Sequence, residues 1–274
     1  MKIGVVMDPI SGIKTYKDTT FAMMLEIQAR GWELRYMEQG DLRVRDGRPE
    51  ATMRPVTVRD DPADWFELGE PEQRELTWLD AILMRKDPPF DMEFVFSTHI
   101  LELAERAGTV VVNRPGALRD ANEKLYTALF PQCTPPTLVT RRASEMRAFL
   151  EEQGEIILKP LDSFGGASIF RIALGDPNTG VAMETLTAHG TRYAMVQRYL
   201  PEIADGDKRV LLVDGEPVPY ALARVPLAGE SRGNLAAGGT GVPQPLGERE
   251  RWICDQLAPT LRREGLLFVG LDII

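Results

Sequence analysis

Residues 156–170, IILKPLDSFGGASIF, carry the residue types best suited to chemistry in this chain. An apolar run ends in Lys159, a loop with paired glycines at Gly165 and Gly166 follows, and a second apolar run starts at Ile169. Three apolar residues before the lysine read as a buried strand that brings one ammonium to the loop. Glycines lack Cβ, so their backbone N–H groups can approach an anion closely and adopt positive φ. Converging donors plus a point charge describe a phosphate site. The plainer reading of the same residues is a hairpin turn beside a solvated lysine. Other phosphate loops fit less well. A P-loop needs Gly-x-x-x-x-Gly-Lys-Ser/Thr before a helix, and a dinucleotide fingerprint needs Gly-x-Gly-x-x-Gly opening one. Here the chain returns as a strand, and no His-Arg-Asp or Asp-Phe-Gly of a kinase lies downstream.

A second group is Arg85-Lys86-Asp87-Pro88-Pro89. It follows the apolar run at residues 80–84, and ligands of open α/β sheets bind beyond the carboxyl ends of strands. Arg85 and Lys86 form a carboxylate-binding pair, Arg85 offering a two-pronged fork. The alternative is a solvated loop, but two cations before Pro-Pro describe a stiff one. Asp8, Asp18 and Thr19 fall at equivalent strand and helix ends. They suit a ligand amine, though helix capping is the commoner use.

The elements that must position these groups alternate. Strands are expected at residues 2–7, 33–37, 80–84 and 109–113. The helices between them include one capped by Asp18 and stopped by Gly31, and one around Phe94, Thr98, Leu101 and Ala104. Residues 40–75 read as a hairpin and loops. This predicts an open α/β domain over residues 1–118. Beyond it, Asp120 reads as an N-cap with Glu123 at N3, opening a helix that turns Leu125, Ala128 and Leu129 inward. A helix over 144–153 stopped by Gly154, the glycine-loop stretch, a helix over 180–188 and a strand over 193–200 make a small unit, 119–200. Residues 201–274 follow, with a hairpin at Asp214-Gly215, a glycine-rich polar stretch at 226–247, a helix through Pro259 and a buried terminal strand. The fold class is α/β, an open α/β domain followed by an α+β domain of two subdomains.

Composition narrows the partners. The 274 residues are 43% hydrophobic and 27% charged, with a net charge of −9. That sign argues against a general nucleic-acid binder. Cys133 and Cys254 form no CxxC and suit free thiols in a reducing cytoplasm. No stretch has the length or apolarity of a signal peptide or membrane span. His99 and His189 have no evident catalytic partners in sequence and read as structural.

Taken in order, Asn122-Glu123-Lys124, Ile157-Leu158-Lys159-Pro160, Gly165-Gly166-Ala167-Ser168, Gln197-x-Tyr199-Leu200 and Asp207-x-Arg209 resemble the motifs of ATP-grasp ligases. Met84 to Pro89, Gly206 to Arg209, Arg232-Gly233-Asn234 with the glycines after it, and Phe268 to Asp272 narrow the resemblance to bacterial glutathione synthetases. It runs from Met7 to the last residue.

The resemblance implies ligation of γ-glutamylcysteine to glycine with ATP and Mg²⁺ (Mn²⁺ being possible), in a cytoplasmic homotetramer. Lys124 and Lys159 would contact the phosphates, and Gly165, Gly166, Ala167 and Ser168 would cover them. Gln197, Tyr199 and Leu200 would meet the adenine and Asp207 the ribose. Arg209 and Arg224 would lie along the reacting phosphate. Residues 225–242 would form a lid bringing Arg232, Gly233 and Asn234 to the substrates. Asp18, Arg85, Lys86 and Asp87 would bind substrate, and Asp272 would be a metal ligand. The family also has a Glu and an Asn as metal ligands past the position of Ile274, so on this reading the last subdomain is incomplete. Two alternatives stand beside it: another ATP-grasp carboxylate–amine ligase, and a nucleotide-binding fragment without catalysis.

Overall fold

The computed structural model describes residues 1–164, 167–225 and 240–274. The chain divides into two compact units, Met1–Asp120 and Ala121–Ile274.

In the first unit, β1 (Lys2–Val6), α1 (Thr19–Ala29), β2 (Glu33–Met37), β3 (Leu42–Arg45), β4 (Arg48–Val58), β5 (Phe66–Leu68), β6 (Glu72–Glu75), β7 (Ala81–Met84), α2 (Met92–Arg106), β8 (Val110–Val112) and α3 (Pro115–Asp120) follow one another. The sheet order is β3-β4-β2-β1-β7-β8, with β5 and β6 also paired to β4. Strands β2, β1, β7 and β8 run parallel, whereas β4 pairs antiparallel with β2. Successive side chains leave a strand on opposite faces, so each buried strand feeds two cores. Ile3, Val5, Leu34 and Tyr36 share a core with Phe21, Met24 and Ile27 of α1. Val6, Met37, Ile82 and Met84 share the other with Phe94, Leu101 and Ala104 of α2. At Gly4 the approach is close, since a Cβ there would lie 2.6 Å from Leu79 Cδ1 and 2.7 Å from Met37 Cε. Residues 40–75 are more regular than the expected hairpin and loops: four antiparallel strands extend the sheet.

The second unit opens differently from the sequence expectation. Asp120 is the last residue of α3 rather than the N-cap of a new helix. The next segment, Leu125–Leu129, is a 3₁₀ helix with Leu125, Ala128 and Leu129 exposed. Asn122 starts this turn, its side-chain oxygen accepting from the backbone of Lys124 (3.1 Å) and Leu125 (2.8 Å). Phe130 goes inward instead. Then come β9 (Thr137–Thr140), α4 (Ala143–Gln153), β10 (Glu155–Pro160), β11 (Phe170–Ala173), α5 (Thr179–Thr187) and β12 (Ala194–Arg198). Gly154, at φ 78°, ends α4 where a side chain would be strained. The strands form an antiparallel sheet in the order β11-β10-β12-β9. One face is apolar: Ile156, Leu158, Ala194 and Val196 pack against Met146 and Leu150 of α4 and Met183 and Leu186 of α5.

A second four-stranded sheet, β15-β14-β13-β16, contains β13 (Asp207–Val213), β14 (Glu216–Val225), β15 (Thr240–Pro245) and β16 (Phe268–Ile273). Asp214 (φ 49°) and Gly215 (φ 73°) make the expected tight turn between β13 and β14. The helix α6 (Glu248–Glu264) keeps Ile253, Leu257 and Leu261 on its buried side, with Pro259 inside it. Among the described residues no helix is long and apolar enough to cross a membrane. Cys133 and Cys254 are free thiols.

Candidate active site

In the first unit the polar groups collect where β1 and β7 end. These neighbouring strands are parallel, so both finish at the same edge. Arg85 donates to two hydroxyls at the start of α1, Thr20 Oγ1 at 3.0 Å and Thr19 Oγ1 at 2.9 Å. Asp8 accepts from the Asp87 backbone at 2.8 Å and pairs with the Lys86 ammonium at 2.9 Å. One carboxylate thus fastens the loop after β7. Asp18 caps α1 by accepting from the Phe21 N–H at 2.8 Å. Burial pulls the Arg85 guanidinium below its ordinary range, against the opposing pull of Asp18 and Asp87. Burial pushes Asp87 up, with Asp8 and Asp18 adding to it. Two cations and three carboxylates therefore surround one strand edge, a set that can meet both ends of an amino acid. Arg85, Lys86, Asp87 and Asp18 are brought together as a group. Asp8, expected to meet a ligand amine, instead fastens the loop, and Thr20 is the support that sequence reasoning did not single out. A buried threonine one residue into a helix gives no distinguishing signal.

In the second unit Lys159 lies on the sheet face opposite the α4–α5 core. Its ammonium donates to Gln197 Oε1 at 2.7 Å, and Gln197 Nε2 donates to Thr137 Oγ1 at 3.0 Å. Ladder register explains the contact: Gln197 is opposite both Ile157 and Thr137, which makes Lys159 its diagonal neighbour on the same face. Burial lowers the pKa of Lys159, the Lys124 cation lowers it further, and Asp272 opposes them. Lys124 donates to the Ser163 carbonyl at 2.6 Å and pairs with Glu123 at 2.6 Å. Asn122 Nδ2 donates to the Leu161 carbonyl at 3.0 Å. Together they tie the 3₁₀ segment to the loop after β10. Ala167 and Ser168 are exposed, Ser168 at φ 56°. Tyr199 and Leu200 follow the end of β12, and the Arg171 guanidinium lies 3.9 Å from the Tyr199 ring centroid. Gly165, Gly166, Arg232, Gly233 and Asn234 lie outside the described residues.

The remaining predicted residues form a charge cluster written by strand register. Asp207 is opposite Arg224 across β13–β14, and Arg209 is opposite Asp272 across β13–β16. Arg224 donates to Asp207 through Nε (2.9 Å) and Nη2, and its Nη2 also lies 2.8 Å from Asp272 Oδ1. Arg209 grips Asp272 through Nε and Nη2, the latter at 2.9 Å. Burial alone would lower Arg224, but the two carboxylates outweigh it and raise its pKa. Burial likewise pushes Asp272 up, and the two arginines more than reverse that, leaving it low. Gly270 makes room for this pairing: a Cβ there would sit 3.1 Å from Arg209 Cδ. Among the described residues no three His, Cys, Asp or Glu gather as a metal cluster.

Both units of the chain match known proteins. Residues 1–119 match the model of the prokaryotic glutathione synthetase N-terminal domain, and residues 123–274 match that of its ATP-grasp domain. The chain belongs to the prokaryotic glutathione synthetase family. Among its relatives, the glutathione synthetase of Pseudomonas syringae pv. tomato is 61% identical over all 274 residues, which span 86% of that protein. That of Escherichia coli is 59% identical, also over the whole chain, spanning 87% of it. The fold recurs at low identity. D-cycloserine synthetase aligns over 100% of this chain and 86% of its own, with TM-score 0.64 and 16% identity. D-alanyl-alanine synthetase A from Vibrio cholerae aligns over 99% and 84%, with TM-score 0.60 and 13% identity. The ATP-grasp fold and the open α/β domain before it are those expected from the sequence.

Proposed function

We propose that the protein joins γ-glutamylcysteine to glycine at the expense of ATP, giving glutathione, ADP and phosphate. The observation that carries this reading is the family match across both units, together with a half-buried ammonium at Lys159 whose pKa is lowered by burial and by the Lys124 cation. A carboxylate does not condense with an amine in neutral water. Transfer of the ATP γ-phosphoryl group to the cysteinyl carboxylate makes an acyl phosphate and releases ADP. Glycine's neutral amine then attacks the carbonyl carbon, the C–N bond forms, the C–O bond to phosphate breaks, and the amine loses a proton. Such transfer asks a protein chiefly for position and charge neutralisation. Lys124 and Lys159 supply this at the phosphates, with Arg209 and Arg224 along the transferred group and the 165–168 segment covering it. Gln197, Tyr199 and Leu200 meet the adenine, and Asp207 the ribose. Arg85 and Lys86 hold a carboxylate of γ-glutamylcysteine, and Asp18 and Asp87 its amino group. Arg232, Gly233 and Asn234 belong to a lid over residues 225–242, which would exclude water from the acyl phosphate.

Mg²⁺ fits as the companion of the nucleotide. Asp272 is a hard oxygen ligand kept ionised by its arginines, and magnesium takes few carboxylates because phosphates and water complete its shell. Bound there, the ion would neutralise phosphate charge. We further propose a cytoplasmic homotetramer, with the family's ATP-grasp region divided into subdomains 119–200 and 201–274. Inorganic phosphate release tests the activity: it should require ATP, γ-glutamylcysteine and glycine together. Equal release with D-alanine or another amine replacing glycine, or none with the full set, refutes the assignment.

A further inference from the structure

Gln197 is a buried primary amide, 8% exposed, on a central strand. Such an amide has a direction, since one end only accepts and the other only donates. Which end faces Lys159 decides whether the lysine is held or repelled. The ammonium is a donor alone, so it needs the oxygen. Thr137 fixes that choice through a single proton. Its hydroxyl donates to the Pro135 carbonyl at 2.7 Å. With the proton committed there, Thr137 Oγ1 can only accept from Gln197, and the group 3.0 Å away must be the Nε2 amine. The amide oxygen is thereby turned to Lys159, 2.7 Å from its ammonium. A flipped amide would set its NH₂ against the ammonium and its oxygen against a hydroxyl already spent on Pro135. The Pro135 carbonyl is held by the chain two residues away, so the relay starts from fixed backbone.

We propose that Thr137 is a positioning residue for nucleotide binding: through the Gln197 amide it holds the Lys159 ammonium in place. The inference rests on Lys159 being a phosphate ligand, and nothing in its position on β9 would mark Thr137 from sequence. The order of action is Pro135 carbonyl, Thr137 hydroxyl, Gln197 amide, Lys159 ammonium. The first step is local to the chain, and the last two cross between neighbouring strands on one sheet face.

The test measures ATP affinity by calorimetry on the whole chain, with Michaelis constants for γ-glutamylcysteine and glycine beside it. Thr137→Val removes the hydroxyl at nearly constant volume, and ATP should bind roughly five- to tenfold more weakly. Thr137→Ser keeps the hydroxyl and should restore wild-type affinity. The Michaelis constants of the other two substrates should not move. A carboxylate accepts at both ends, so in a Gln197→Glu background orientation no longer matters. There Thr137→Val should cost nothing further. Unchanged ATP affinity in a folded Thr137→Val protein overturns the proposal. So does a Thr137→Ser protein as impaired as the valine variant, or an equal valine penalty in the Gln197→Glu background. Wild-type protein that binds ATP no better than Lys159→Met overturns the phosphate-site reading itself, and the relay with it.

Discussion

Replacing Arg224 with methionine asks how much one buried guanidinium holds together. Arg224 is 5% exposed and serves two carboxylates on different strands, Asp207 on β13 and Asp272 on β16. Methionine fills much of the space of the arginine stem, so most of the loss is electrostatic. Removing one partner of a buried ion pair costs about 3–5 kcal/mol. The lower end applies here, because Asp272 is 44% exposed and retains Arg209. At roughly 2–4 °C per kcal/mol for a region of this size, the melting transition of the second unit should fall by about 6–12 °C at pH 7. The pH dependence gives a second check. Asp272 has a folded pKa below its unfolded one, so it contributes stability above the unfolded value and loses it as pH falls through the folded value. Without Arg224 the cluster has two acids and one base. Asp272 then accepts a proton more readily, and its protonation relieves the repulsion between the two acids. The deficit against wild type should therefore shrink between pH 7 and about pH 4.5. Scanning calorimetry at both values measures it. A shift under about 2 °C, or a deficit identical at the two pH values, would refute the reasoning.

Three further outcomes are expected. Lys159→Met should weaken ATP binding by about ten- to a hundredfold, the worth of one charge-assisted contact at roughly 1.5–3 kcal/mol, read by calorimetry. Arg85→Lys keeps the charge but loses the fork that reaches Thr19 and Thr20, so the Michaelis constant for γ-glutamylcysteine should rise about tenfold while that for ATP stays put. Burial pushes the Cys254 thiol up to about 11, with Asp255 adding to it, so iodoacetamide at pH 8 should label Cys133 first and reach Cys254 only when the second unit unfolds.

Much of the fold was legible because its punctuation is local. Asp18 caps a helix with its own side chain, Gly154 ends one at positive φ, and Asp214-Gly215 turns a hairpin; each effect spans three or four residues. Asp120 misled because the capping-box spacing is also met by a residue that closes a helix, while Asn122 two residues later does the capping. β3, β5 and β6 were obscure because each is only three or four residues long and pairs with β4 alone. At the site, the types and order of Lys124, Lys159, Asp207, Arg209, Arg224 and Asp272 were visible as motif. Their partners were not, because register decides them. Asp207 meets Arg224 seventeen positions away and Arg209 meets Asp272 sixty-three away. Thr137 and Thr20 matter only through what they hold, and no spacing rule reports that.

Strand β4 has a consequence for how the first unit tolerates change. Along its eleven residues it pairs in turn with β3, β6, β2 and β5. Its Ala51 and Met53 enter the core beside α2, whereas Val56 and Val58 enter the core beside α1. One strand thus stitches two cores that the sheet otherwise separates. A single residue inserted between Met53 and Val56 would reverse the side on which every later β4 side chain emerges. The valines would be delivered to the wrong layer, so loop-swapping and tag insertion should succeed at Gly47 and fail at Arg54. In hydrogen exchange the paired amides of β4 should be among the last in the unit to open, released only when both cores come apart.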